Sequence, residues 1–205
     1  MRVVLVGQKW LAVQLLERCR TLGIEIVLVV VPAPVDGQPD SLERAAAAHG
    51  LAVCRTGWRL GAEQVPPCDL VLAAHAHAYI DAGARGQARL GALGFHPSLL
   101  PRHRGRDAVR WAVHMREAVT GGSLYWMDDG ADTGPVVAQS WGHIRPDDTP
   151  ATLWRRELAP MGLDLFDQVL ARLLAGERCQ GVAQDEALAT WEPAWSGKRL
   201  GVRTG

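Results

Sequence analysis

The N-terminal half of the chain alternates short apolar runs, rich in β-branched side chains, with segments whose apolar positions recur at helical spacing. Val3 to Val6 is one such run, closed by Gly7, and positions 10–22 then follow a helical pattern that Gly23 ends. Positions 24–31 form a second β-branched run. Strands that alternate with helices pair in parallel, so we predict a single-domain α/β fold with a doubly wound, mostly parallel Rossmann-like sheet.

The same alternation continues into the C-terminal third of the chain. We predict helices over 42–49, 107–117 and 149–175, and strands that begin at 53 and cover 69–74, 90–95, 123–127 and 136–140. Pro160 and Gly162 are expected to kink the last helix. Periodicity ends at Gly176, so we predict one domain over 1–176 and an irregular C-terminal tail over 177–205.

Two loops carry the side chains best suited to chemistry. The histidine loop reads GFHPSLLPRHRG over 94–105 and places His96 directly before Pro97, which drives its backbone toward an extended conformation at a strand end. The acidic loop reads DDGADTG over 128–134, a composition typical of a tight turn beside a cleft. Since ligands of open α/β sheets bind beyond the carboxyl ends of the strands, the loops predict a general base, His96, oriented by Asp132.

Both loops resemble the signature of the folate-dependent formyltransferase family, which combines an H-x-S-L-L-P loop with a D-x-G-x-D-T-G loop. The likeness covers nearly the whole chain and extends to the hydrolase domain of 10-formyltetrahydrofolate dehydrogenases, through the run from Trp126 to Gly134. The resemblance implies a formyltransferase-type fold, a catalytic domain over 1–176, and 10-formyltetrahydrofolate as the formyl donor. Positions 184–191 resemble the linker to this family's C-terminal domain, for which we expect no room here.

Gly94 departs from most family members that formylate amines, which have an asparagine two residues before the histidine. The asparagine amide binds the developing oxyanion, and losing one such donor typically costs about 10²–10³ in rate. Two explanations stay open: the chemistry differs, or another donor, such as the Gly94 N–H, replaces the amide. The dehydrogenases' hydrolase domain also lacks this asparagine, so we favour water as acceptor and a hydrolase that releases formate.

Two alternatives to a hydrolase remain. The first is an N-formyltransferase that acts on a small amine such as an amino sugar or an amino acid derivative. The second belongs to another class, an inactive family member that binds folate or a partner protein. Replacing His96 by alanine separates catalysts from binding proteins, because a catalyst loses its general base.

Further candidate residues follow from the loops and from the resemblance. Ser98 is expected to hydrogen-bond the histidine loop or the reaction intermediate, and no G-x-S-x-G motif supports a serine hydrolase. Arg102 and Arg104 are predicted to bind the acceptor, with the folate tail or solvent as alternatives. Besides Asp132, the folate pocket is predicted to contain residues of one strand end and of the acidic loop, namely Leu72, Ala74, His75, His77, Asp128, Asp129 and Gly130.

Composition and spacing argue against several other classes of protein. Lys and Arg together number 22, as do Asp and Glu, so no excess charge attracts nucleic acid or an anionic membrane. The four cysteines form no C-x-x-C pair and the two pocket histidines lack a third ligand, so no metal is expected. The first strand is not followed by G-x-G-x-x-G, which argues against NAD.

The predicted partners are therefore a folate and a small acceptor or water. No apolar stretch has the length of a signal peptide core or a membrane span, so we expect a cytoplasmic protein. The sequence leaves the oligomeric state open, a homodimer included.

Overall fold

A mostly parallel sheet forms the centre of the computed structural model, which describes residues 1–34 and 37–195. The strands are β1 (Arg2–Gly7), β2 (Glu25–Pro32), β3 (Val53–Thr56), β4 (Arg59–Leu60), β5 (Leu70–Ala74), β6 (Tyr79–Ile80), β7 (Ala92–His96), β8 (Val119–Trp126) and β9 (Val136–His143). Seven of them form one sheet in the order β3-β2-β1-β5-β7-β8-β9. Pairing is parallel from β3 to β7 and antiparallel for β8 and β9. The predicted fold class is confirmed.

Helices connect and cover the strands. They are α1 (Lys9–Thr21), α2 (Ser41–Ala48), α3 (Ala82–Gly86), α4 (Ala108–His114), α5 (Pro150–Leu153) and α6 (Ala159–Leu174). The side chain of Asp40 accepts a hydrogen bond from the Leu42 N–H and caps α2, as the sequence predicts. Gly23 and Gly50 follow α1 and α2 with positive φ angles, the conformation in which glycine commonly ends a helix.

The long helix predicted over 149–175 is interrupted. A π-helical turn over Trp154–Leu158 separates α5 from α6. Pro160 has no N–H to donate to the carbonyl group four residues earlier, which accounts for the irregular turn just before it. Gly162 has a different role, because a Cβ atom at this position would lie 3.0 Å from the ring of Phe95. It permits close packing of α6 on the sheet.

A second, two-stranded sheet was not predicted. β4 and β6 pair in parallel, and the Asp81 side chain that follows β6 caps α3 and accepts hydrogen bonds from Arg59. Strands of two residues are too short to show a periodicity. None of the helices in residues 1–34 and 37–195 is long and apolar enough to cross a membrane.

The C-terminal strap, which we define as residues 177–195, lies along the domain and is mostly irregular. Val182 pairs with Val136 at the start of β9, and Trp191 forms a bridge with Arg104 in the histidine loop. The indole N–H of Trp111 in α4 donates to the carbonyl of Pro193 at 2.9 Å. The strap therefore contacts β9, the histidine loop and α4. The domain boundary at residue 176 stays a prediction, and positions 196–205 of the predicted tail lie outside the described residues.

Candidate active site

His96 is the last residue of β7 and its side chain is nearly buried, with 8 % of its surface exposed. Its Nε2 atom lies 2.7 Å from the backbone carbonyl oxygen of His103. A carbonyl oxygen only accepts hydrogen bonds, so Nε2 carries a proton and donates it. The other ring nitrogen, Nδ1, lies 3.4 Å from Oδ2 of Asp132. Because Nε2 is occupied, Nδ1 is the nitrogen available for proton transfer.

Asp132 reaches out of its own loop toward the histidine loop. Its Oδ2 accepts the N–H of Gly105 at 2.7 Å, and its Oδ1 accepts the hydroxyl of Tyr125 at 2.7 Å. The turn itself is held by another carboxylate, since Oδ1 of Asp128 accepts the N–H of Gly130 at 3.0 Å and the hydroxyl of Thr133 at 2.6 Å. Asp132 therefore does not hold its own turn, and its carboxylate contacts His96 instead.

These residues border a cavity of about 1270 Å³ beyond the carboxyl ends of β1, β5 and β7. The cavity is larger than a single drug-sized ligand usually requires. Its lining includes His96, Asp132, Tyr125 and Asp128, together with His75 and His77 after β5. Gly94 and Gly130 also line it, and Trp191 and Trp195 of the C-terminal strap form part of one wall.

Strained backbone is concentrated around this cavity. Within the described residues, six that are not glycine have a positive φ angle. Four of these line the cavity, namely Lys9, His75, Asp107 and Asp132, and a fifth is His103, which holds His96. Left-handed conformations are costly for such residues and persist where function requires them. The distribution supports a functional role for this cavity independently of any relative.

Two cationic side chains, Lys9 and Arg106, line the cavity near His75 and His77. Burial, His77 and Lys9 lower the pKa of His75 to about 4, and burial, Arg106 and Lys9 lower the pKa of His77. Both imidazoles are therefore neutral near pH 7 and act as hydrogen-bonding groups. Among the described residues, neither Lys9 nor Arg106 forms an ion pair within 4 Å. These two cations remain available to an anionic ligand.

Gly94 lies in the middle of β7, between Ala73 of β5 and Tyr125 of β8. Backbone N–H groups of a strand point in the plane of the sheet toward its neighbours, so the Gly94 N–H does not face the cavity. A Cβ atom at this position would lie 3.3 Å from Tyr125 and from Met127. A side chain at position 94 would therefore require Tyr125 or Met127 to shift.

Several predicted site residues do not line the cavity. Ser98 is buried and donates to the carbonyl of Arg102 at 2.6 Å, so it stabilises the histidine loop. Leu72 and Ala74 are buried in β5, and the Asp129 side chain is exposed and paired with Arg85. Of the predicted cofactor-binding residues, the cavity lining contains His75, His77, Asp128, Gly130 and Asp132.

Arg102 and Arg104, predicted to bind the acceptor, have other partners in the structure. Arg102 pairs with Glu117. Arg104 is 6 % exposed and donates to Glu186 at 2.7 and 2.9 Å and to Gln184 at 2.9 and 3.1 Å. Carboxylates satisfy both guanidinium groups, so we leave these arginines out of the acceptor site. The sequence analysis, which considered an acceptor, the folate tail or solvent, did not predict these partners within the chain.

Gln184 in the C-terminal strap is a residue that the sequence did not single out. Its side-chain oxygen accepts from Arg104 of the histidine loop, and its nitrogen donates to the carbonyl oxygens of Asp132 at 2.9 Å and Gly134 at 2.7 Å. One amide therefore joins both loops. Nothing in the local sequence around Gln184 signals this, because its partners lie about 50 and 80 positions earlier.

The histidine loop is held to the strap at a second point. The ring of His103 is buried, with its nitrogens 3.1 Å from Glu117 and 2.8 Å from Glu192. The His103 N–H donates to the hydroxyl of Thr190 at 2.8 Å. These contacts fix the carbonyl group that orients His96.

The described residues contain no group of three or more His, Cys, Asp or Glu side chains placed to hold a metal ion. His96 and Asp132 lie in contact at the wall of the cavity, where a histidine and a carboxylate can transfer a proton.

Comparison with known proteins gives this site a family context. Residues 68–165 match the family model described as formyl transferase. The chain is 31 % identical over 202 residues to human cytosolic 10-formyltetrahydrofolate dehydrogenase, a match that covers 94 % of the chain and 22 % of the dehydrogenase. It is 35 % identical over 202 residues to methionyl-tRNA formyltransferase of Anaeromyxobacter dehalogenans (strain 2CP-C), covering 93 % of the chain and 64 % of that enzyme.

The fold is shared with a solved structure of phosphoribosylglycinamide formyltransferase from Bacillus halodurans. The TM-score is 0.71 at 22 % sequence identity, and the match covers 85 % of this chain and 96 % of the other. The chain thus spans about a fifth of the length of the dehydrogenases it matches and most of the length of this smaller enzyme. Together with the two loop motifs, these matches show a formyl transferase domain over residues 68–165 and similarity to a 10-formyltetrahydrofolate dehydrogenase over 94 % of the chain.

Proposed function

We propose that this protein is an enzyme that removes the formyl group of 10-formyltetrahydrofolate, with His96 and Asp132 as the proton-transfer pair and water as the acceptor. The observation that carries the proposal is the buried contact of 3.4 Å between His96 Nδ1 and Asp132 Oδ2 at the cavity wall. With the proton on Nε2, Nδ1 and the Asp132 carboxylate both present lone pairs, so the two groups together can accept one proton from a nucleophile.

The pair can therefore take a proton from a nucleophile and return it. A water oxygen attacks the formyl carbon while the His96–Asp132 pair accepts its proton. The tetrahedral intermediate then collapses as the bond between the formyl carbon and N10 breaks. The proton passes to N10, and formate and tetrahydrofolate leave. His103 orients the ring during both steps, because its carbonyl retains the proton on Nε2.

Water as the acceptor is supported by the surroundings of Gly94. No side-chain amide is present at this position, and Tyr125 and Met127 fill the space where one would lie. The human dehydrogenase relative bears a name that specifies 10-formyltetrahydrofolate, which supports the same donor here.

A small-molecule N-formyltransferase is the second candidate. It is favoured by the size of the cavity and by Lys9 and Arg106, whose charges suit an anionic acceptor. The folate's own glutamate carboxylates would use the same cations, so charge alone does not separate the two functions.

The test is to incubate the protein with 10-formyltetrahydrofolate and to measure formate and tetrahydrofolate, with and without a panel of amino sugars and amino acids. The hydrolase predicts both products in equal amounts without an added amine. Formylated amine with no formate would reject the hydrolase in favour of the transferase. If neither formate nor a formylated amine forms, the protein is a binding protein without this activity.

The residue assignment is tested by His96→Ala and Asp132→Asn. Each variant is expected to lose at least about 10²-fold in rate, since each removes one half of the proton-transfer pair. His143→Ala and Asp147→Asn are matched controls, because both residues are exposed and lie outside the cavity lining. Normal turnover by His96→Ala would refute the assignment.

A further inference from the structure

The ring of Tyr125 occupies the position above Gly94 on the cavity side of the sheet. The two residues are direct neighbours across β7 and β8, so their side chains point to the same face. A Cβ atom at position 94 would lie 3.3 Å from Cε1 of Tyr125. Tyr125 is 4 % exposed and still lines the cavity. A glycine at position 94 leaves room for this ring.

The hydroxyl of Tyr125 contacts the carboxylate of Asp132. It donates to Oδ1 at 2.7 Å, while Oδ2 accepts from Gly105 and faces His96 Nδ1. The two carboxylate oxygens thus have different partners. Rotation about the last bond of Asp132 would exchange them, and the terminal torsion of an aspartate is intrinsically broad. The hydroxyl restricts this torsion and fixes which oxygen meets the histidine.

The tyrosine remains a donor over the working pH range. Burial, the charge of Asp132 and the hydrogen bond to it raise the pKa of Tyr125 well above that of a free phenol, and Asp128 adds to this effect. A phenol that stays protonated donates a short, charge-assisted hydrogen bond to the carboxylate at every pH at which the enzyme would operate.

We propose that Tyr125 is a positioning residue of the active site: its hydroxyl aims the Asp132 carboxylate at His96. The inference depends on the proposed function, since it assigns a role within the same proton-transfer pair. It also gives Gly94 a purpose, because a larger residue would displace the ring that carries the hydroxyl.

The kinetic test is Tyr125→Phe, which keeps the ring and removes the hydroxyl. We expect kcat to fall about tenfold or more while KM for the folate changes less than about twofold, because the donor aligns a catalytic group and does not hold substrate.

The matched control is Tyr79→Phe, which changes the only other tyrosine of the chain. Its hydroxyl donates to the backbone carbonyl of Asp129 at 3.2 Å and does not reach Asp132. Because Tyr79 also lines the cavity, this variant separates the loss of a cavity-lining hydroxyl from the loss of the hydroxyl that reaches Asp132. Positioning of Asp132 predicts a much larger loss of kcat in Tyr125→Phe than in Tyr79→Phe, whereas a role of Tyr125 in packing alone predicts the wild-type kcat for Tyr125→Phe, because the ring is retained.

A second measurement does not need activity. In the Tyr79→Phe variant, Tyr125 is the only source of phenolate absorbance, so a pH titration reports on it alone. Adding Asp132→Asn removes the neighbouring charge and is expected to let Tyr125 ionise at lower pH. Circular dichroism at each pH shows whether the protein is still folded.

Three results would overturn the proposal. Tyr125→Phe with the wild-type kcat would show that the hydroxyl does not position Asp132. Identical phenol titrations with and without Asp132 would show that the two groups do not interact. A wild-type protein that neither releases formate nor formylates an amine would remove the proposed function itself, a failure distinct from the other two.

Discussion

Replacing Gln184 by alanine is expected to weaken both the fold and the active site, because this one side chain joins the histidine loop, the acidic loop and the C-terminal strap. The substitution removes two hydrogen bonds to the carbonyls of Asp132 and Gly134 and two from the guanidinium of Arg104. A hydrogen bond between neutral groups contributes about 0.5–1.5 kcal/mol, and one to a charged group contributes more.

Arg104 keeps its hydrogen bonds to Glu186, so the substitution removes only some of the hydrogen bonds of its guanidinium group. We therefore expect Gln184→Ala to lower the free energy of unfolding by about 3 kcal/mol. For a protein of this size, such a change lowers the melting temperature by about 6–12 °C. Formate release should fall about tenfold or more at a temperature where the variant is fully folded, since Asp132 loses the anchor of its backbone.

The assay combines thermal unfolding, followed by circular dichroism, with initial rates of formate release. Gln180→Ala is the matched control, because Gln180 lies in the same strap, is exposed and makes no side-chain hydrogen bond to another described residue. Gln184→Glu adds a second contrast. It retains an acceptor for Arg104 but places an oxygen against two carbonyl oxygens, so it should not restore activity. Wild-type stability and rate in Gln184→Ala would refute the idea that the strap holds the site together.

Three further predictions concern other parts of the molecule. Gly94→Asn is expected to lower formate release, because its Cβ atom lies 3.3 Å from Tyr125 and displaces it; unchanged rates would show that the ring is not needed. The lowered pKa of His75, about 4, means that the unfolded chain binds more protons between about pH 6.5 and 4. Stability should therefore decline as pH falls through this window, and His75→Gln should reduce the decline measured by urea unfolding at several pH values. Burial raises the pKa of the Cys19 thiol to about 12. A thiol reagent at about pH 8 should therefore modify the less buried Cys54 in the folded protein and react with Cys19 only after unfolding. Fast labelling of Cys19 in the folded protein would contradict its burial.

Most of the fold could be predicted because its signals are local. β1, α1, β2 and α2 each show a clear periodicity bounded by glycine, proline or a capping side chain, and their ends lie within about two residues of the prediction. β7 ends at His96, as the proline after it indicates. The strap and the two-stranded sheet were missed, because they are held by side-chain and single backbone contacts that leave no periodic pattern.

The site is harder to predict than the fold because its geometry depends on contacts between distant residues. The sequence indicates His96 and Asp132 through their motifs but does not show that His103, Tyr125 and Gln184 hold them. The same limit affected the arginines of the histidine loop. A charged side chain in a loop suggests a ligand-binding role. Only the structure shows that Arg102 already pairs with Glu117 and Arg104 with Glu186.

The same contacts set the charges that would act in the proposed reaction. With Gly94 in place of an asparagine, no side-chain amide at that position would bind the oxyanion that develops during the proposed attack of water. His96 keeps a proton on Nε2 against the His103 carbonyl, so the charge that balances the oxyanion must arise at the Nδ1 side, where Asp132 lies 3.4 Å away. A histidine that has just accepted the proton of the attacking water becomes an imidazolium at that moment. In the proposed reaction, the proton transfer that activates the nucleophile thus places a positive charge on His96 in the cavity wall, and this charge would help a site without the asparagine to stabilise its intermediate.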